Sequence, residues 1–364
     1  MTLSASASHD PVGPSASDVA DADTPFIHNA WYVIAESAEI TRTPISRTVL
    51  GHSIVLFRTE GTGEVVALQN RCCHRSFPLV HGRLEGDTIV CGYHGLRYDT
   101  SGRCIEIPMQ KRKVPASVRV RAFPTVERGT FVWIFMGDKT LADSIALPHQ
   151  EWMANDEWDR RFAYLYVKGS YVHLHENLLD LSHLSFLHAN SFGTPEYARA
   201  PIEWKIEGDN LEVWRHVECR LPSIYAVPLG WVGAKALRSS GSKFVSPGLH
   251  VNTGIFRNLD ATDDASQGTL PMVKVAQLLT PETSRSTHYW TLQARNFARG
   301  DATVGDFMIE QQLAAFREDV FALERITEIQ TLEANLAFQE ISIPSDRAGI
   351  LMRRRLKEMA DRER

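Results

Sequence analysis

Cys72, His74, Cys91 and His94 are the residues of this chain best suited to hold an inorganic centre. They read C-x-H, then 16 intervening residues, then C-x2-H. Two thiolates can hold one iron of a [2Fe–2S] cluster while two neutral imidazoles hold the other, an exchange that raises the reduction potential. A structural zinc site is the alternative, since mixed Cys/His sets also bind zinc tetrahedrally. Zinc modules usually separate each pair by two or more residues, so the one-residue gap in the first pair favours the cluster.

A second constellation follows in Asn177, Asp180, His183 and His188. Asp180 and His183 are three apart and share a helix face. His183 and His188 are five apart, about 500° of helical rotation, so an unbroken helix would splay their rings. They converge only if the helix ends, breaks or takes a π-turn. Paired histidines in a helix are most often packing or surface groups. Here they lie in a Leu/Phe run with Asn and Asp at helical spacing before them, and a cluster needs an electron acceptor. Two histidines and one carboxylate make the facial triad of non-haem Fe(II) oxygenases. Glu310, Glu318, Asp319 and Glu324 are the candidates downstream. Leu313, Phe316, Val320, Leu323 and Ile326 form an apolar stripe, and Asp319 falls within it. A carboxylate on a core face is costly unless paired or bound to metal. Asp319 is therefore the expected third ligand, with Glu318 beside it as the alternative.

These residues need two kinds of scaffold. Short β-like runs such as Ile54–Phe57, Val65–Leu68, Thr88–Val90 and Phe131–Phe135, several separated by Gly-containing turns, predict a small antiparallel β domain with the ligand loops on hairpin tips. Beyond residue 139, strands at 164–167, 211–216, 273–279 and 287–293 mix with helical stretches at 176–189 and 304–336. The reading is thus α+β, with a 1–25 tail expected to be disordered, a 26–138 cluster domain and a 139–364 catalytic domain. The apolar stretch 221–237, with Trp231, is a candidate cover for the site.

The 364 residues suffice for two cores. A net charge of −5 gives no reason to expect nucleic-acid binding. Neither a signal peptide nor an apolar run of about 20 residues is present, so a cytoplasmic protein without membrane contact is expected. Of five cysteines, Cys104 and Cys219 read as packing residues. No G-x-G-x-x-G follows a strand, so electrons are expected from another protein. The basic run Lys111-Arg112-Lys113, just after the cluster loops, is ordinarily solvated surface and is here a candidate dock for an acidic one.

The chain resembles the oxygenase component of Rieske non-haem iron monooxygenases, in the branch of vanillate and dicamba O-demethylases. The resemblance covers nearly everything after the tail. It rests on Asn29-Ala-Trp-Tyr-Val33, both Cys/His loops, Asn177-x2-Asp180-x2-His183-x4-His188, Thr280-Pro-Glu-Thr283, Arg295-Asn-Phe297 and Glu318-Asp319. Cys73 and Gly92 depart from it, standing where the family often has proline. The resemblance implies a Rieske domain joined to a helix-grip-like (START/Bet v 1-like) domain, assembled as a head-to-tail homotrimer. Cys72, Cys91, His74 and His94 would hold the [2Fe–2S] cluster; His183, His188 and Asp319 would bind a mononuclear Fe(II). Asp180 would bridge His183 and a neighbouring chain's His94, Asn177 would stand beside the iron, and Gln277 would touch the substrate. The implied partners are a ferredoxin or flavin-dependent reductase, O2 and a small aromatic compound. The implied reaction is oxidative O- or N-dealkylation, with ring or side-chain hydroxylation as the alternative. A pure Rieske electron carrier is the distant one, disfavoured by the second ligand set.

Overall fold

The computed structural model describes residues 18–208, 210–261, 269–336, 338 and 340–364. Eleven short strands build the first domain: β1 (Trp31–Glu36), β2 (Ile45–Val49), β3 (His52–Arg58), β4 (Val65–Gln69), β5 (Arg83–Glu85), β6 (Thr88–Val90), β7 (Arg97–Tyr98), β8 (Cys104–Glu106), β9 (Ala122–Phe123), β10 (Thr125–Arg128) and β11 (Phe131–Phe135). They form three antiparallel sheets in the orders β1-β11-β10, β2-β3-β4-β9 and β5-β6-β7-β8. The C-x-H loop joins β4 to β5, and the C-x2-H loop joins β6 to β7. Val55, Phe57, Leu68, Leu79, Ile89 and Tyr98 pack beneath both loops and enclose Cys72, Cys91 and Cys104.

The second domain is a seven-stranded antiparallel sheet. Its strands are β12 (Asp159–Val167), β13 (Glu203–Glu207), β14 (Asn210–Arg220), β15 (Lys235–Ser246), β16 (Leu249–Asn258), β17 (Met272–Thr283) and β18 (Ser286–Arg295), in the order β12-β18-β17-β16-β15-β14-β13. Its helices are α1 (Tyr171–Leu179), α2 (Ser223–Leu229), α3 (Ala302–Leu332) and α4 (Arg347–Asp361). Helices α1 and α3 bury Leu174, Leu178, Phe316 and Leu323 against Val167, Leu279 and Tyr289 of the sheet. Asp301 starts α3 by accepting the Val304 N–H, a cap that satisfies one orphan donor of the first turn.

Two differences from the sequence reading concern boundaries. The 176–189 helix stops at Leu179, because Asp180 turns extended at ψ 97° before a short 3-10 turn at His183–Ser185. Ordered chain also reaches back past Phe26. Val19 and Ala20 are buried, and Ala20 exchanges hydrogen bonds with Arg353 of α4. Residues 1–17 of the expected tail lie outside the described residues.

The domains share a core. Trp31, Trp133 and Trp152 pack against Leu249, Leu278 and Trp290. Hydrogen bonds join them as well, from the Leu50 N–H to the Pro281 carbonyl and from Thr280 Oγ1 to the Val33 carbonyl. Among the described residues, no helix is long and apolar enough to cross a membrane.

Candidate functional site

At the tips of the first domain, Cys72 and Cys91 are buried while His74 and His94 are exposed. The two imidazole rings stand 4.5 Å apart, and Tyr93 packs at a tilt against His94 at 3.9 Å. Burial pushes the Cys91 thiol up from its ordinary range, and the Tyr93 and His94 amides that point at its sulfur partly counter this. Such amides stabilise a thiolate, the form a cluster requires. Tyr98 adds a hydroxyl 3.0 Å from Cys72 Sγ and 3.2 Å from Cys73 Sγ. Sequence reasoning missed Tyr98. Its only signal was a polar-tipped aromatic four residues after His94. Gly95 sits in the left-handed region at φ 74°, and its Cα approaches Pro108 so closely that a side chain would collide. The loop therefore closes over the sulfurs only with glycine there. Cys73 itself is exposed, so it does not compete with Cys72 for the interior position.

The second constellation converges. The break after Leu179 turns His183 and His188 toward each other, with ring centroids 5.0 Å apart. Asp319 Oδ1 lies 3.4 Å from His183 Nε2 and 3.1 Å from His188 Nε2. The three donor atoms lie within 4.8 Å of one another. Gly193 holds the turn shut. Its N–H donates to the His188 carbonyl, and a Cβ there would lie 2.0 Å from the Leu184 carbonyl oxygen.

Asp319 is only 5% exposed. Burial would raise its carboxyl, but hydrogen bonds from His183 and His188 hold it down at about 2. For His188 burial favours the neutral ring, yet Asp319 and Glu318 outweigh it and raise its proton affinity. Glu318 does not enter the triad. Its Oε2 lies 2.6 Å from His188 Nδ1, on the opposite edge of the ring, and also accepts from Ser191 Oγ. A carboxylate on Nδ1 fixes that nitrogen as the N–H and leaves Nε2 as the free lone pair. The sequence alternative between Glu318 and Asp319 thus resolves into two positions on one imidazole.

Asn177 donates from Nδ2 to Asp319 Oδ1 at 3.1 Å, while its Oδ1 is buried without a partner. Asp180 departs from expectation. Its Oδ1 accepts the Ser182 N–H at 2.7 Å, and His183 Nδ1 is buried without any hydrogen bond. Within one chain, then, the expected Asp180–His183 bond does not form, because the carboxylate caps its own turn. Two imidazoles and one buried carboxylate facing one point suit a divalent cation of the iron type.

The triad opens into a cleft of about 90 Å³ walled by Leu178, Phe192, Tyr225, Val275 and Phe316. Its floor is polar. Gln277 and Asn252 face it, and the Gln277 amide is engaged at both ends, donating to Asn252 Oδ1 and accepting from the Tyr289 hydroxyl. Gln277 therefore lines the cleft with its amide committed to protein partners. Of the 221–237 stretch, helix α2 brings Tyr225 into the cleft wall, packed 4.6 Å from Phe256. A second, wide depression near Arg160 and Arg299 contains none of these residues.

A cluster site on a β domain and a two-histidine, one-carboxylate site on a helix-and-sheet domain together define a Rieske non-haem iron oxygenase. The chain belongs to the vanillate O-demethylase group of that class. Residues 167–362 match the vanillate O-demethylase oxygenase C-terminal domain, and residues 30–124 match the Rieske [2Fe-2S] domain. It is 34% identical to the iron-sulfur subunit of the toluene-4-sulfonate monooxygenase system of Comamonas testosteroni, over 82% of this chain and 87% of that one. It is 32% identical to a vanillate O-demethylase oxygenase subunit of Pseudomonas sp., over 87% of this chain and 96% of that one. The crystal structure of dicamba monooxygenase bound to 3,6-dichlorosalicylic acid matches with a TM-score of 0.86 at 27% identity, covering 93% of this chain and 99% of that one. The protein is thus the oxygenase component of a multicomponent system, with a [2Fe–2S] cluster and a mononuclear non-haem iron as its cofactors.

Proposed function

We propose that the protein removes a methyl or small alkyl group oxidatively from an aromatic ether or amine. The observation that carries the reading is the convergence of His183, His188 and Asp319 at one end of an apolar, aromatic-walled cleft. Iron held there would activate O2 with electrons relayed by the cluster. The chain's own residues supply the rest. Phe192, Tyr225 and Phe316 offer faces to an aromatic ring and exclude water, and Asn177 and Glu318 orient the triad. Hydroxylating an ether methyl gives a hemiacetal that collapses to a phenol and formaldehyde. One oxygen atom enters the product, and two electrons and two protons convert the other to water. Ring or side-chain hydroxylation uses the same site on a carbon that carries no ether or amine, and is the second reading. Matched aromatic ethers and amines, supplied with a surrogate reductase, separate the two. Formaldehyde released in step with NADH consumed supports dealkylation; hydroxylated product without aldehyde contradicts it.

We also infer a head-to-tail homotrimer in which Asp180 links His183 to a neighbour's His94. The support is an exposed imidazole pair, an unpartnered buried His183 Nδ1, and exposed apolar side chains at both ends of the proposed contact. Tyr93 is exposed in the second cluster loop and Met109 next to Pro108, which packs on that loop, while Phe186 and Phe321 are exposed between and beside the iron ligands in sequence. Lys111-Arg112-Lys113, exposed beside the cluster loops, would receive an acidic ferredoxin or flavin-dependent reductase.

A further inference from the structure

Tyr98 is fully buried at the end of β7, beneath the cluster loops. Among the described residues its hydroxyl oxygen lies 3.0 Å from Cys72 Sγ, 3.2 Å from Cys73 Sγ and 3.3 Å from the Cys73 amide nitrogen. Of these only the sulfurs can accept its hydrogen, because the amide can only donate. A buried hydroxyl is seldom left without an acceptor, so the hydrogen goes to a sulfur. Cys104, opposite Tyr98 on β8, does not compete: its thiol reaches the Glu106 carbonyl at 3.4 Å. Cys91 is served differently, by the Tyr93 and His94 amides. Cys91 thus meets backbone donors, whereas the donor to Cys72 is a side chain that a single substitution removes.

Charge decides between the two sulfurs. Cys72 as a ligand is a thiolate, has no hydrogen of its own and accepts more strongly than a thiol. Cys73 is exposed, holds no iron in this arrangement and carries an S–H that can donate. The hydrogen bonds then run one way, from the Cys73 N–H and S–H into the Tyr98 oxygen and from the Tyr98 O–H to Cys72 Sγ. Donation into a hydroxyl oxygen polarises its O–H, so successive bonds strengthen one another. Proline, which the family often has where Cys73 stands, would supply neither donor, having no N–H and no thiol.

We propose that Cys73 is a positioning residue that raises the reduction potential of the cluster, by donating into the Tyr98 hydroxyl, which donates in turn to the ligand sulfur of Cys72. A reduced cluster bears more negative charge on its sulfurs, so a hydrogen bond there favours reduction. Only the ligand role of Cys72 is assumed; the substrate at the iron site does not enter. The consequence falls on the electron donor: this chain accepts electrons from a weaker reductant than the same loop with proline would.

Redox titration of the full-length, cluster-loaded enzyme, followed by visible absorbance and by the electron paramagnetic resonance of the reduced form, tests this without turnover. Tyr98→Phe lowers the midpoint potential by about 59 mV, the equivalent of a tenfold change in a one-electron equilibrium. Cys73→Ala lowers it by less, Cys73→Pro by more than Cys73→Ala, and Cys73→Ser, which keeps a donor, stays near the wild-type value. In a Tyr98→Phe background Cys73→Ala has no further effect, because the hydroxyl it acts through is gone. Residue 73 is exposed, so Ala and Ser there leave the buried packing intact, and iron and sulfide content confirm that each variant holds its cluster. An unchanged or raised potential in Cys73→Ala or in Tyr98→Phe overturns the proposal. So does a Cys73→Ala shift that persists undiminished in the Tyr98→Phe background. Loss of the cluster spectrum in Cys73→Ala overturns it in a different way, by making Cys73 the ligand.

Discussion

At the residue scale, the account turns on the division of labour between adjacent carboxylates. Asp319 meets both Nε2 atoms, while Glu318 reaches around to Nδ1 of His188. Both are usable because one helical position shifts the side chain by about 100°. The neighbours therefore straddle a single ring. Glu318→Gln keeps the shape but weakens the hold on Nδ1–H. Iron affinity should fall by about 10–100-fold, with some turnover restored by excess Fe(II). Iron titration with a chelator checks this. Unchanged affinity would mean that Glu318 is a surface carboxylate that happens to lie near the ring. The buried Nδ1 of His183, without a partner inside the chain, is the complementary gap and motivates the intersubunit role proposed for Asp180.

At the element scale, much of the site was legible and parts of the fold were not. The apolar stripe of α3 announced Asp319 because a carboxylate among Phe316, Val320 and Leu323 has no bland explanation. The five-residue histidine step required a broken helix, and Asp180 breaks it. Strands β15 and β16 were not read. Their cleft face carries Ser240, Ser242, Asn252 and Gly254, which blurs the apolar alternation that marks a strand. Helix α4 was missed as well, since Arg353, Arg354 and Arg355 interrupt a stripe built on Ala348, Met352 and Leu356. The same buried polar layer carries a pH dependence. His175 donates from Nε2 to the Pro247 carbonyl, and His250 Nε2 bonds Ser242 Oγ. Both leave Nδ1 buried without an acceptor, so protonation would strand an N–H. Burial lowers His175 from its ordinary 6.5 to about 4, and burial, with the neighbouring His175 adding to it, lowers His250 well below its ordinary value. The unfolded chain then binds more protons than the folded one between about pH 4 and 6.5, and stability rises with pH through that window. His175 alone should remove about 2 kcal/mol between pH 7 and 5. Denaturant midpoints followed by tryptophan fluorescence check the sign. A catalytic domain more stable at pH 5 than at pH 7 would refute the assignment of neutral, buried imidazoles.

At the scale of the whole molecule, the two metal sites belong to one chain but are proposed to work across two. The shared tryptophan core and the hydrogen bonds near Val33 and Pro281 hold the domains together without bringing the cluster's exposed histidines to the triad through any described contact. Mixing tests the route. A His94→Ala chain lacks a relay and an Asp319→Ala chain lacks an oxygen site, so each should be inactive alone. Co-assembled oligomers, verified by mass, should regain part of the activity because an intact cluster can feed intact iron next door. No recovery in verified mixed assemblies would end the intersubunit route and the bridging role of Asp180.

The central claim is that one chain carries a relay cluster and a separate iron site at His183, His188 and Asp319. Iron and acid-labile sulfide, counted per chain in wild type and Asp319→Ala, test it most directly. The wild type should hold about three irons and two sulfides, and Asp319→Ala about two irons and two sulfides with the cluster spectrum unchanged. Zinc in place of iron in the wild type, or three irons retained by Asp319→Ala, would contradict the account.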